Sequence, residues 1–515
     1  MEHNIGLMLE KRAHLNPNLE GCVETESGRR FTYRDLDQRC NRTANMLVGS
    51  GVKPGDRVAL LMMNGVEFID SFFAIAKMGG VCVPLNWRLT ADELSFILTD
   101  SGAETLIFSS DFAEVAEELK ARGKDATKLT KWISVGEPVA FAEDYDALQA
   151  ASSDAPVKIG AKDDDTLFIM YTSGTTGLPK GAVHTHNTTM WGSLTALATS
   201  DMQQKDRYLL VLPLFHVGAL NPLIACVHAG GTAVVMRGFD LDAMWTNIEA
   251  EKITTMLAVP AMLNFMLLSP AKDTADYSSL RWIMSGAAPV PVSLIETYAD
   301  MSIEIHQVYG LTETCGPSCL ISPDDAIAKA GSTGKAFFHT NVRVVDSEGN
   351  NVKAGEVGEV LVSGRHIMKE YWNRPEATAE TIREGWLHTG DLATVDAEGF
   401  VYIQDRIKDM IISGGENVYP AEIENVLLSH PQVQDVAVIG QENQQWGEVV
   451  VAVIVRADDS VTAADLMKHC DGKLARYKMP KIVEFIDVIP RNPTGKALKR
   501  ILRDQFPGEE QAKAG

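Results

Sequence analysis

Positive charge is what this chain is short of. In 515 residues, 47 lysines and arginines stand against 69 aspartates and glutamates, a formal net charge of -22. That balance excludes nucleic acid or an anionic lipid surface as a partner held by bulk electrostatics, and any polyanionic ligand has to be met by local cations. Paired cysteines are missing as well. The seven present are odd in number and form no C-x-x-C pair, which argues against a disulfide framework and for free thiols in a reducing cytoplasm. Cys315 and Cys319 lie a turn apart without a second ligand pair, so no zinc site is expected. No stretch approaches the ~20 uninterrupted apolar residues of a membrane span, and the opening residues, MEHNIGLMLEKRAH, interleave charges too often for a signal-peptide core. Repeats and low-complexity tracts are absent too. What remains is an ordinary globular composition, 45% apolar and 23% charged, in a chain too long for one hydrophobic core, so two or more domains are expected.

Along the chain, Leu36, Cys40, Ala44, Leu47 and Val48 recur at helical spacing, with Thr32 as a cap and Gly51 as a stop. An apolar run at 58–63, a helical pattern at 66–78, a strand at 81–85, a helix at 91–100 and a strand at 104–109 follow. The alternation predicts a parallel sheet with helices on both faces. It resumes with strands near 208–213, 232–236, 253–258, 281–284 and 303–308, enough for a second doubly wound half. From 334 to 404 short runs are joined by turns, Asp346 to Gly349 and Asp396 to Gly399 being the clearest, which predicts an antiparallel β subdomain. After the charged stretch 405–409 comes a small α+β pattern: helix 420–429, strands near 433–439 and 447–455, helix 461–474 and strand 481–487.

Phosphate-binding groups are densest at residues 171–181, YTSGTTGLPKG. Gly174, Gly177 and Gly181 let the backbone aim amides at an anion. Thr172, Ser173, Thr175 and Thr176 add hydroxyls, and Lys180 adds a compact charge. The apolar run 167–170 before it reads as a buried strand, which places the loop at a sheet's carboxyl edge, where ligands of open α/β sheets bind. It is not a P-loop, because Lys180 follows Pro179 and no Ser or Thr comes next. Two more segments follow strands: Ser285 to Pro289, with the small residues Gly286, Ala287 and Ala288, and Tyr309-Gly310-Leu311-Thr312-Glu313.

YTSGTTGLPKG resembles the phosphate-loop signature of the adenylate-forming (AMP-binding) superfamily. Matching segments run from about residue 30 to residue 500. KDMIISGGENVYPAEIE (408–424) and PRNPTGK (490–496) are most similar to bacterial fatty-acyl-CoA and related ligases. The resemblance implies ATP, Mg²⁺ and coenzyme A as cofactor and co-substrates. It implies that Gly286, Ala287, Ala288, Tyr309 and Gly310 form the adenine pocket, that Thr312 lies near the phosphates, and that Glu313 holds the metal. Asp391 and Arg406 would take the ribose, although Asp405 stands where many relatives carry Gly, which puts the local turn in doubt. Lys496 matches the catalytic lysine that bridges the acid's carboxylate and the α-phosphate. Lys408 matches a hinge; Ser413, Gly414 and Gly415 would line the route of the pantetheine thiol, with Trp446 near its adenine. His216 sits in the segment lining the acyl entrance, where amino-acid-activating relatives place an Asp. Read by itself, it fits a satisfied core histidine better. The apolar helix 260–268 is expected to wall the acyl pocket.

Together these readings predict a large α/β N-terminal domain (1–407; doubly wound sheets plus a small β subdomain) and a small, mobile α+β C-terminal lid (408–515). The expected activity is ATP-dependent ligation of a medium- to long-chain fatty acid to CoA. Two alternatives stand beside it, an aryl-acid ligase and a catalytically silent nucleotide- or acyl-binding regulator. Small molecules are the expected partners and nucleic acid is not. Lys496, Lys499, Arg500 and Arg503 form a basic cluster that leaves weak peripheral membrane contact open, and a homodimer is left open as well.

Overall fold

The computed structural model describes residues 3–123, 127–172, 179–288, 290–413, 416–443, 446–458, 460–471, 473–474, 476–491 and 497–507. Four sheets organise them. The first has nine strands, ordered Lys335–Ala336, Cys319–Leu320, Ile305–Tyr309, Trp282–Gly286, Thr255–Ala258, Arg207–Leu210, Thr232–Val235, Glu20–Glu24 and Arg30–Thr32. Its six central strands are parallel and its edges antiparallel. The second has eight: Glu370–Tyr371, Lys180–Thr185, Thr166–Thr172, Val81–Pro84, Arg57–Leu61, Thr105–Ser109, Lys131–Val135 and Glu143–Asp144.

The parallel sheet expected from the alternation at 58–109 is corrected at one edge. Lys180–Thr185 runs antiparallel to Thr166–Thr172, with Lys180 opposite Thr172, so the two strands pair as a hairpin. A second antiparallel strand, Glu370–Tyr371, is added outside it. The first sheet also begins earlier than the apolar periodicity predicts. Glu20–Glu24 inserts beside Thr232–Val235, pairing Cys22 with Ala233.

Helices fill the space between the two large sheets. Tyr33–Gly49 starts at Thr32, whose side chain accepts from Asp35 N while Asp35 answers to the Thr32 N–H. Such a reciprocal cap stabilises a helix start by about 1 kcal/mol. Val66–Met78 is buried on every side. Its Phe68, Phe72 and Phe73 share one core with Leu60 and Phe168 of the second sheet, Leu210 and Val235 of the first, and Leu220 and Ile224 of helix Val217–Ala229. Each such side chain contributes roughly 1.5–3 kcal/mol of burial. Helices Leu241–Ala250 and Val292–Asp300 cover the outer face of the first sheet, and Ala91–Ser101 with Ala113–Ala121 cover the second.

The third sheet is antiparallel and holds Asn341–Val345, Val357–Ser363, Ile382–Arg383, Trp386–Val395 and Val401–Arg406, as the turn-rich stretch predicts. The fourth lies wholly within residues 411–485: Ile411–Ser413, Glu416–Val418, Val433–Asn443, Gly447–Arg456 and Ile482–Phe485, with helices Pro420–Leu428, Ala463–Cys470 and Lys499–Gln505 nearby in sequence. All seven cysteines are buried and unpaired. Among the described residues no helix is long and apolar enough to cross a membrane.

Candidate active site

The carboxyl edge of the first sheet delivers Gly286, Ala287, Ala288, Tyr309, Gly310, Thr312 and Glu313. Strand Ile305–Tyr309 ends in a tight loop whose short helical turn, Thr312–Thr314, carries Glu313. Only glycine fits at Gly310, because a Cβ there would lie 1.4 Å from the Gly316 carbonyl oxygen. At Gly286 a Cβ would approach the Val308 carbonyl to 2.2 Å. The next residue, Ala287, holds φ at +68°, a left-handed conformation that costs a residue with a Cβ about 1 kcal/mol or more. Strain of this size is commonest at ligand sites.

From this edge one polar chain crosses to the second sheet. Tyr309 Oη donates to Asp391 Oδ2 at 2.7 Å, and Asp391 Oδ1 meets Arg406 Nε at 2.9 Å. The pairing follows from register, since Asp391 and Arg406 are cross-strand partners in the third sheet. Burial works against the Arg406 charge, but Asp391, Tyr309 and Glu313 outweigh it and hold its pKa up. Burial also raises that of Tyr309, with the Asp391 carboxylate adding to it, so the phenol keeps its proton. Beyond Arg406, Glu313 Oε1 accepts from Tyr371 Oη at 2.7 Å, and Lys180 Nζ lies 5.2 Å from the centre of the Tyr371 ring. Thr172 stands opposite Lys180, its hydroxyl 3.4 Å from the Lys180 carbonyl oxygen. Asp391, Tyr309, Arg406, Glu313 and Lys180, spread over 226 positions of sequence, thus share one site. Ala288 follows Ala287 and is partly buried.

Tyr371 has no precursor in the sequence reading. Nothing in its neighbourhood marks it, and it reaches the site only because Glu370–Tyr371 adds to the edge of the hairpin. Two histidines were equally invisible. His184 Nε2 donates to the Thr312 carbonyl at 2.7 Å, and His366 Nδ1 to the Thr314 carbonyl at 2.8 Å. Burial pushes both down to about 4, so both are neutral at physiological pH.

A cavity of about 1100 Å³, counting its open mouth, begins beside these groups. Gly286, Ala287, Gly310 and His216 line one end; Tyr208, Met202 and Trp282 line the other. It runs down one face of the first sheet, because alternate residues point the same way and Trp282, Met284 and Gly286 all line it. Over four residues at ~3.3 Å each, that strand gives it a length of about 13 Å. No charged side chain lines it among the described residues. Helix Pro260–Leu268, expected as a wall, contributes only Met262. Leu263 and Met266 pack into the outer core, while Phe265 and Leu268 are exposed, because the helix lies across the outer face of the sheet.

His216 combines the two readings open to it. Its Nδ1 accepts from Gly218 N at 3.1 Å and caps helix Val217–Ala229, which leaves Nε2–H as its donor. Burial pushes its pKa down to about 4, so the ring is neutral.

The C-terminal candidates cluster apart from this chain of contacts. Ser413 is buried and pairs with Gly447, next to the exposed Trp446, whose ring faces Lys481 Nζ at 5.6 Å. Lys408 lies at the surface, and partial desolvation lowers its pKa. Asp405 finds a use in place of the expected glycine: its carboxylate accepts from Ala421 N at 3.1 Å, tying the end of strand Val401–Arg406 to the first turn of helix Pro420–Leu428. The basic cluster near the end is largely neutralised. Lys499 pairs with Glu424 at 2.9 Å and Arg503 with Asp409 at 3.0 Å, while Arg500 lies 3.6 Å from Asp504. Ser173, Gly174, Thr175, Thr176, Gly177, Gly414, Gly415 and Lys496 lie outside the described residues.

Comparison with known proteins adds a consistent set of likenesses. A family model described as AMP-binding enzyme matches residues 9–372, and one described as the AMP-binding enzyme C-terminal domain matches residues 422–496. The long-chain-fatty-acid–CoA ligase FadD13 of Mycobacterium tuberculosis is 45% identical over 504 residues, 98% of each chain. A feruloyl-CoA synthase of Amycolatopsis is 41% identical, over 96% of this chain and 98% of the other. Among solved structures, the o-succinylbenzoate CoA synthetase of Bacillus subtilis in complex with its acyl-adenylate intermediate superposes with a TM-score of 0.86 at 33% identity, covering 99% of this chain and all of that one.

Proposed function

Because the chain belongs to the AMP-binding enzyme family, we propose that it is an AMP-forming acid–CoA ligase whose acid is a medium- to long-chain fatty acid. The observation that carries this is the cavity. It opens at the groups assigned to the nucleotide and runs inward without a charged residue among the described ones. A hydrocarbon chain lying against Met202, Leu257, Met262 and Met284 gains about 0.8 kcal/mol per buried methylene.

Ligation to a thiol needs a better leaving group than hydroxide. In the first step a carboxylate oxygen attacks the α-phosphorus of ATP, the bond to the bridging oxygen breaks, and pyrophosphate departs. Two anions meet here, so catalysis rests on positive charge and alignment. Lys180 and the phosphate loop serve the β- and γ-phosphates, Lys496 bridges the carboxylate and α-phosphate, and Thr312 lies near the phosphates. Asp391 and Arg406 hold the ribose, and Tyr309 with Gly286 to Ala288 holds the adenine.

The residues fit a magnesium ion. Glu313 uses one oxygen on Tyr371, and the other accepts no hydrogen bond among the described residues. Mg²⁺ typically takes one or two carboxylates and completes its shell with phosphate and water oxygens. When bound, it supplies Lewis-acid charge to the phosphates.

In the second step the CoA sulfur attacks the acyl carbon, the bond to AMP breaks, and the thiol proton is released. His216 Nε2–H is a donor for the acyl oxygen. Rotation at Lys408 between domains 1–407 and 408–515 brings first Lys496 and then Ser413 to Gly415 to the site, with Trp446 beside the CoA adenine.

An aryl acid is the second reading, favoured by the rings of Tyr208, Phe215, Trp282 and Phe337 around the cavity. Both are tested by offering a homologous series of linear acids and a set of cinnamates and benzoates, then measuring pyrophosphate and AMP. Highest kcat/KM on linear acids supports the first reading and highest kcat/KM on cinnamates the second. No AMP from any acid would sink both.

A further inference from the structure

Three consecutive carbonyls of the turn Thr312–Thr314 are each taken by a donor from elsewhere in the fold. Thr312 O accepts from His184 Nε2 at 2.7 Å, Glu313 O from Met368 N at 2.8 Å, and Thr314 O from His366 Nδ1 at 2.8 Å. A carbonyl oxygen has no proton to give, so His184 carries its hydrogen on Nε2 and His366 on Nδ1. The opposite nitrogens are also held. His184 Nδ1 lies 3.3 Å from Thr188 Oγ1, and His366 Nε2 lies 2.8 Å from Thr340 Oγ1.

Both rings are fully buried, and they arrive from different sheets. His184 is on strand Lys180–Thr185 of the second sheet, packed on Phe168 with ring centres 4.9 Å apart. His366 is on the connection leaving strand Val357–Ser363 of the third. The turn itself hangs from the first sheet. Its backbone is therefore fixed from both sides, and Tyr371 Oη fixes one oxygen of the only carboxylate it carries.

We propose that His184 and His366 are positioning residues for Glu313, clamping the turn between two sheets so that its carboxylate holds a set place at the nucleotide. The inference rests on the assignment of Glu313 to the metal–nucleotide site. Groups that orient a metal-binding side chain without touching the metal change affinity or activity by about 10–100-fold when lost. A ring that only fills space would not depend on which nitrogen carries the proton.

That dependence gives the test. Gln at 184 can place an amide N–H near the Nε2 position, and Asn at 366 near the Nδ1 position. H184Q and H366N are expected to keep KM for magnesium–ATP within about twofold of the parent. H184N and H366Q, of like polarity and burial, are expected to raise it by about tenfold or lower kcat for adenylation as much, while KM for the acid stays unchanged. Amide hydrogen exchange over residues 311–316, read on the full chain without nucleotide, should accelerate in the mismatched pair and not in the matched pair. Equal behaviour of matched and mismatched amides in exchange would overturn the clamp. Matched protection in exchange with no effect of any variant on magnesium–ATP would keep the clamp but remove Glu313 from the nucleotide, overturning the positioning role. An enzyme inactive on every acid, with the exchange pattern as expected, would count against the proposed reaction and leave the clamp standing.

Discussion

Glu313 divides its two carboxylate oxygens, one accepting from Tyr371 and the other directed to no partner among the described residues. An amide oxygen can accept the Tyr371 proton as well as a carboxylate can. Glu313→Gln is therefore expected to leave the thermal midpoint nearly unchanged, within about 1 kcal/mol of stability. It should lower acid-dependent ATP–pyrophosphate exchange on the order of 10²-fold, as loss of a transition-state electrostatic group does. Calorimetry and exchange assays on the same preparation check both halves. Tyr309, Glu313, Asp391 and Arg406 could be singled out because each sits in a motif that resembles one of the AMP-binding family. Tyr371, His184 and His366 could not be, since each acts through a partner at least 52 positions away and none has a local pattern to betray it.

The elements that matter most are the strand Trp282–Gly286 and the link from the third sheet to helix Pro420–Leu428. Alternation along the strand puts a glycine at the mouth of the cavity and a tryptophan at its floor. Trp282→Ala is expected to shift kcat/KM within a series of linear acids toward longer chains, and to destabilise the fold by about 3 kcal/mol. An unchanged chain-length profile would show that the floor lies elsewhere. At the link, Asp405→Ala removes the acceptor of the Ala421 N–H. The expected cost is about 1 kcal/mol, with a change in the ratio of adenylation to thioester formation; measuring the half-reactions separately tells whether the contact biases the domain arrangement. The helix start at Thr32, the helix from residue 91 and most strands of the large sheets were readable from spacing and from the Thr32 cap. The hairpin at Lys180 was not, because hydrophobic pattern reveals a strand but not the direction of its neighbour.

Over the whole molecule, acid is the expected weakness. Burial holds His184, His186, His216 and His366 at about 4, against an ordinary value near 6.5. Between those limits the unfolded chain takes up protons that the native one refuses, so each histidine lowers stability as pH falls from about 6.5 to 4. Asp70 works in the other direction. Burial raises it to about 6, and its contribution is lost as pH rises from its ordinary value toward 6. Four groups oppose one, and unfolding followed by denaturant titration should show stability falling steadily below pH 6.5. A flat profile down to pH 4.5 would mean that the histidines can reach water.

The pairing of Cys22 with Ala233 has a bearing on synthesis. One edge of strand Glu20–Glu24 can pair early with Arg30–Thr32, but the other waits until its neighbour, more than two hundred positions later, has left the ribosome. Until then Val23 lacks Leu209 and Val234, which share its core. Nascent chains stalled before Thr232 should therefore be open to aggregation and to chaperone capture, and release past that point should end both.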